Sequence, residues 1–91
     1  MPKYKIVAHR NVFKFLNEVS DQTLKKAFKE QIEKLEDYPL SLREMDVEII
    51  RGVKNSFRLR IGRYRIIFFV DKVDATIYVT DIKARKKAYT K

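Results

Sequence analysis

The stretch FRLRIGRYRIIF, residues 57–68, decides the fold. Apolar and basic residues alternate on both sides of its centre, and a period of two is typical of β-strands. At the centre lies Gly62-Arg63, and glycine at the first central position favours a two-residue type II′ hairpin turn. The stretch therefore predicts two antiparallel strands in which Arg60 lies opposite Arg65, with both side chains on one face of the sheet.

Further segments with a period of two lie on both sides of this hairpin. Short strands are predicted at residues 4–8, 47–50 and 76–80, and the second strand of the hairpin covers residues 64–70. Because the connections from residue 47 onward are short, neighbouring strands in this part should be antiparallel. The segment 64–70 is apolar on both faces after its start, which predicts that it is the central strand.

The residues between the first two predicted strands have helical spacing instead. Two apolar stripes recur there, namely Val12, Phe15, Leu16 and Val19, then Leu24, Phe28, Ile32 and Leu35. Ser20 or Asp21 can cap the second helix. Pro39 disfavours helical geometry at the residue before it, so this helix should end by Tyr38. A loop is expected over residues 40–44.

These elements predict one α+β domain over residues 1–91. It has an N-terminal strand, a helical hairpin and then a four-stranded antiparallel meander, with the helices packed on one face of the sheet. A small barrel is the alternative fold, and it is less favoured because two apolar helical stripes need a flat surface to cover.

Composition excludes several kinds of chemistry. The chain has no cysteine and one histidine, so disulfides, thiolate metal sites, a conventional zinc site and a serine–histidine relay are excluded. We expect neither a metal nor another cofactor, and we interpret His9 as a structural residue near a helix start. Signal-peptide and membrane-spanning patterns are absent, which predicts a cytoplasmic protein without a membrane partner.

The positive charge is concentrated in the C-terminal part. The chain carries a net charge of +9, yet residues 1–50 hold nine basic and nine acidic side chains. Residues 51–91 hold twelve basic and three acidic ones, and residues 51–65 contain no acid. Such a one-sided distribution favours a polyanionic partner, nucleic acid above all.

Three arginines of the hairpin should share one face of the sheet. Arg58, Arg60 and Arg65 alternate with apolar residues, and like charges directly opposite each other cost a few tenths to about 1 kcal/mol. Exposed arginines on a solvated face are the plain explanation, and an anionic ligand bridging them is the sharper one. The tail, residues 83–91, adds five cations and Tyr89, and a solvated tail is the alternative interpretation there as well.

The hairpin and the tail together resemble a known family. Residues 57–68 look like the "yRlRvGdYRviY" core of the RelE/ParE superfamily, and DIKARKKAY, residues 81–89, is similar to its "vghRrevY" ending. The element Ile50-Arg51-Gly52 and the two helices after a first strand extend the likeness over essentially the whole chain. The resemblance implies a helical hairpin on a four- to five-stranded antiparallel sheet.

The resemblance implies two candidate activities. RelE-like members cleave messenger RNA on the ribosome, whereas ParE-like members poison DNA gyrase without cleaving nucleic acid. The positions that carry the RelE-type reaction are retained here as Arg58, Arg60, Arg65, Arg85 and Tyr89, which favours the nuclease. Arginine is a poor general base, so the base stays open, with Tyr89 as candidate base or stacking residue. Where many relatives have histidine before the arginine, this chain has Ala84.

The sequence thus predicts a toxin that acts as a ribosome-dependent mRNA endonuclease. Six further cations of the basic region are expected to contact RNA: Arg51, Lys54, Arg63, Lys83, Lys86 and Lys87. The implied partners are the ribosome, messenger RNA and an antitoxin of the RelB kind, which would contact exposed apolar residues on the helices. A gyrase-inhibiting toxin and a non-catalytic nucleic-acid-binding module are the alternatives.

Overall fold

The computed structural model describes residues 3–84 as one mixed sheet with two helices. The elements in chain order are β1 (Lys5–Ala8), α1 (Arg10–Glu18), α2 (Gln22–Lys34), two short 3₁₀ segments (Leu35–Asp37 and Leu40–Glu44), β2 (Val47–Ile49), β3 (Ser56–Ile61), β4 (Tyr64–Asp71) and β5 (Thr76–Ala84). The strands lie in the order β1-β5-β4-β3-β2, so β4 is central, as predicted. The α+β class is therefore confirmed.

The helices begin at side chains that satisfy free backbone amides. The side chain of His9 accepts a hydrogen bond from the amide of Asn11 at 3.0 Å, which starts α1. Asp21 Oδ1 accepts from the amides of Thr23 and Leu24 at 3.0 and 3.2 Å, which starts α2. Such caps replace hydrogen bonds that the first turn of a helix lacks. His9 is thus a structural residue, as expected, and Asp21 rather than Ser20 caps the second helix.

The central hairpin has the predicted register. Arg60 pairs with Arg65 and Arg58 with Ile67 across β3 and β4. Gly62 has a φ of +59°, which a glycine adopts without steric cost at the first central position of the turn.

Several expectations about the elements are wrong. The five-stranded sheet is mixed rather than all antiparallel, because β1 pairs with β5 in parallel. Two parallel neighbouring strands need a long connection between them. Here the two helices and β2 to β4 form that connection. Residues 40–44 form a 3₁₀ turn instead of a loop, and β2 ends at Ile49, one residue earlier than expected. The last strand, β5, runs to Ala84 rather than ending at residue 80, so Lys83 lies in a strand and not in a tail. The sheet is open, with β1 and β2 as edges, so the barrel alternative is excluded.

The core lies between the helices and one face of the sheet. Its buried side chains are Val12, Leu16, Phe28, Leu35, Leu59, Ile66, Phe68, Val70, Ile77, Val79 and Ile82. Phe28 is fully buried, and its ring meets those of Phe15 and Tyr64 edge to face, with centroids 5.7 and 5.3 Å apart. Alternate residues of β3 and β4 point away from this core, onto the face that the helices leave uncovered. We call this the open face.

Candidate nucleic-acid interface

Three cations lie side by side on the open face. Arg60 of β3 pairs with Arg65 of β4, and Arg65 in turn pairs with Lys83 of β5. We call these three residues the cationic row. The strand pairing places the end of β5 beside the start of β4, since Ala84 lies opposite Tyr64. The expectation that the last strand returns to the Arg65 end of the central strand is confirmed.

Carboxylates from the β2 side contact two of the open-face arginines. Arg60 Nη2 lies 3.1 Å from Asp46 Oδ1, and its Nε donates to the same oxygen at 3.3 Å. One step along the sheet, Arg58 Nη1 lies 2.9 Å from Glu48 Oε1. The sequence contains no acid between residues 51 and 65, but the strand pairing brings acids there from residues 46 and 48. These two carboxylates were missed, because their pattern becomes visible only once β2 is aligned with β3.

The hydrogen bond from Asp46 and its negative charge raise the pKa of Arg60 above its usual value. Arg60 therefore stays protonated and cannot accept a proton as a general base. It can still hold a phosphate through paired N–H donors.

Arg65 differs from Arg58 and Arg60 in its neighbours. Within residues 3–84 no carboxylate lies within ion-pair distance of Arg65, while its two cross-strand neighbours are both cations. Lys83 makes only a long contact, 3.9 Å from its Nζ to Asp81 Oδ2. Like charges held this close repel one another and attract an anion. Arg65 is therefore the strongest candidate for a phosphate ligand among the described residues.

The structure brings some of the predicted RNA-binding residues together and separates others. Arg63 lies in the turn beside Arg60 and Arg65, and the three line a small cleft. Arg51 and Lys54 lie in the exposed loop between β2 and β3, at the opposite end of β3 from Arg60. Four residues of β3 separate the two ends, about 13 Å of strand. The predicted residues Arg85, Lys86, Lys87 and Tyr89 lie outside the described residues.

An apolar groove opens between the two helices. It has a volume of about 390 Å³, and Val12, Phe13, Leu16 and Ile32 are among its lining residues. Phe13 is 58% exposed and lines this groove, so its ring offers apolar surface to a partner. Lys25 and Lys29 lie at the edge of the same groove.

Residues 3–84 contain no cluster of acidic or histidine side chains that could hold a metal ion. None of the helices in that part of the chain is both long enough and apolar enough to span a bilayer.

The chain is similar to known proteins over nearly its whole length. The family model described as the ParE toxin of type II toxin-antitoxin system, parDE, matches residues 8–89. RelE1 of Methanocaldococcus jannaschii is 33% identical over 87 residues, which is 96% of either chain.

Two solved structures are similar over nearly the whole chain. A chain of the archaeal RelE–RelB complex from Pyrococcus horikoshii OT3 has a TM-score of 0.80 and 28% identity, covering 93% of this chain and 98% of its own. A chain of the RelB–RelE complex from Methanococcus jannaschii has a TM-score of 0.73 and 27% identity, covering 91% and 94%. Fold and sequence together define a toxin of the RelE/ParE superfamily. Within it, the chain belongs to the ParE toxin family of type II toxin–antitoxin systems.

Proposed function

We propose that this toxin is a ribosome-dependent endonuclease that cleaves messenger RNA. The observation that carries the proposal is the cationic row, in which Arg60, Arg65 and Lys83 lie on adjacent strands of the open face. Three adjacent cations suit a phosphate that gains negative charge during a reaction. The similarity to RelE1 and to RelE–RelB complexes supports the RelE-type activity.

The reaction assigned to this surface is an attack by a ribose 2′-hydroxyl on the adjacent phosphate. A base removes the hydroxyl proton, the phosphorus–oxygen bond to the next ribose breaks, and that leaving oxygen takes up a proton. Arg65 holds the scissile phosphate and, with Arg85, stabilises its transition-state charge. Arg58 and Arg60 contact the flanking RNA. Tyr89 is the candidate base or stacking residue, and the ribosome supplies the strained geometry of the message.

A cell-free translation reaction tests this proposal. Messenger RNA is recovered after addition of the toxin and its ends are mapped by primer extension, beside the same RNA without ribosomes. Cuts that appear only when ribosomes occupy the message support the proposal. Efficient metal-independent cleavage of naked RNA at the same protein concentration contradicts ribosome dependence.

The second candidate function is inhibition of DNA gyrase, because the matching family model carries the ParE description. A plasmid supercoiling assay with purified gyrase distinguishes the two. Gyrase inhibition together with intact messenger RNA in the translation reaction would favour this candidate. Binding of RNA without either activity would favour a non-catalytic binding module.

We also propose a RelB-like antitoxin as the partner of this toxin. The support is the similarity to toxin chains in complexes with RelB and the exposed Phe13 beside the groove between the helices. An apolar side chain of the antitoxin can fill that groove, since apolar pockets are the usual anchoring points of interfaces. Phe13→Asp should weaken a co-expressed complex with a RelB-like antitoxin without lowering the stability of the free toxin.

A further inference from the structure

The open face carries an exposed aromatic pair at the end far from the cationic row. Phe69 of β4 and Tyr78 of β5 are cross-strand partners, and their rings stack with centroids 6.3 Å apart and planes 29° apart. Each of the two residues is 37% exposed. We call these two residues the aromatic pair.

The aromatic pair does not belong to the core. The neighbours of Phe69 along β4, Phe68 and Val70, are fully buried on the helix side, so Phe69 points to the other side. The neighbours of Tyr78, Ile77 and Val79, are also fully buried. Cross-strand packing explains the contact between the two rings, but it leaves their outer surfaces in contact with water.

The aromatic pair and the cationic row belong to one continuous surface. Phe69 and Arg65 lie on the same strand and the same face, four residues apart, which is about 13 Å. Ile67 lies between them, opposite Arg58. A ligand polymer that carries flat apolar groups and negative charges at regular intervals would match this arrangement of aromatic rings and cations.

We propose that the aromatic pair is a base-stacking platform for single-stranded RNA whose phosphates are held by the cationic row. The proposal rests on the proposed function and adds a second contact to it. Unpaired bases stack on aromatic side chains of open sheets, and the contact tolerates any base because each has a π-face. A peptide anchor would favour a concave apolar site instead, and the groove with that character lies between the helices.

Tryptophan fluorescence provides a direct test, because the chain contains no tryptophan. Tyr78→Trp places one indole in the aromatic pair, and Phe13→Trp places one on α1 as the matched control. Each full-length variant is titrated with a single-stranded 2′-O-methyl RNA, which lacks the attacking hydroxyl, and with an abasic ribose-phosphate chain of equal length. We expect the base-containing RNA to quench Tyr78→Trp, the abasic chain not to quench it, and neither to affect Phe13→Trp.

A second variant measures the contribution to binding. Phe69→Leu with Tyr78→Leu should lower the affinity for the base-containing RNA about tenfold, which corresponds to about 1.4 kcal/mol, within the range for loss of a base-stacking contact. Its affinity for the abasic chain should not change, because the cationic row is intact. A melting curve checks whether the double variant is folded. If it is not, the quenching experiment with Tyr78→Trp still tests the proposal.

The outcomes separate this inference from the proposed function. Equal quenching by the two chains, no quenching, or an unchanged affinity of the folded double variant overturns the platform. The platform is also overturned if the fluorescence of Tyr78→Trp changes with a RelB-like antitoxin but not with RNA, because the surface is then a protein interface. Base-specific quenching without cleavage on ribosomes supports the platform and contradicts the endonuclease.

Discussion

Arg60 and Arg65 lie directly opposite each other on β3 and β4, and Asp46 contacts only the first of them within the described part of the chain. The carboxylate offsets one positive charge at the edge of the row and leaves the centre positive. Arg65 is half-buried between two cations, so its guanidinium is the group that gains most from a bound anion.

Replacing Arg65 should weaken RNA binding more than replacing cations on the helices. Arg65→Ala removes the centre of the cationic row, and we expect about a tenfold lower affinity for single-stranded RNA and a binding–salt slope smaller by about 0.7. The matched control neutralises Lys25, Lys26 and Lys29 of α2 with glutamine. Binding isotherms at several salt concentrations measure both. Equal losses in the two proteins would place the RNA-binding surface on the helix layer instead.

Removing Asp46 should strengthen RNA binding. Asp46→Asn frees the guanidinium of Arg60 and removes a negative charge from the edge of the open face, so the affinity at low salt should rise severalfold. The ion pair is exposed, at 45% and 58% for its two side chains, and its loss should cost no more than about 1 kcal/mol of stability. Titration and a urea melt check the two effects. A lower affinity would mean that Asp46 instead holds Arg60 in its binding position.

Arg85→Ala should lower cleavage on ribosomes by a factor on the order of a hundred or more, as loss of one transition-state donor does. Binding to ribosomes should fall much less, because many other cations remain. Single-turnover cleavage on programmed ribosomes, a binding titration and a melting curve are measured on one preparation. If cleavage and binding fall equally, Arg85 is only one more member of an electrostatic surface.

Phe28 should be a main determinant of stability. The side chain is fully buried and touches rings from α1 and β4, so Phe28→Ala should lower the free energy of unfolding by about 3–5 kcal/mol. The control is Phe13→Ala, whose side chain is mostly exposed and which should change stability little. Urea unfolding followed by circular dichroism compares the two. Similar values would contradict the burial pattern described above.

Alkaline pH should destabilise the fold partly through Tyr38. Burial, and secondarily the charge of Tyr4, raise the pKa of Tyr38 above 10.0. The unfolded chain then loses the proton of the Tyr38 hydroxyl at lower pH than the folded chain does. The free energy of unfolding therefore falls as the pH rises above 10.0. Tyr38→Phe should make the fall shallower. Urea melts between pH 9 and about pH 11 compare both proteins, and identical slopes would contradict the assignment.

Local patterns predicted local structure well. Gly62 defined the turn and therefore the register of Arg60 and Arg65, and Asp21 was one of two candidates for the cap of α2. The parallel pairing of β1 with β5 was not predicted, because it joins residues that are 71 positions apart and no turn specifies it. The ion pairs of Asp46 and Glu48 with the arginines were not predicted for the same reason, because they depend on the pairing of β2 with β3.

The pairing of β1 with β5 also determines when the toxin can fold during its own synthesis. The first strand has no hydrogen-bonded neighbour in the sheet until Thr76 to Val79 have been made, and the cationic row is incomplete until Lys83 follows. Contacts between such distant residues form late, because the chain must close a long loop before they stabilise it. A ribosome that has made only the helices and β2 to β4 therefore carries an unfinished sheet. The cationic row, which we propose to contact RNA, is therefore assembled only after the helices and the first four strands have been made.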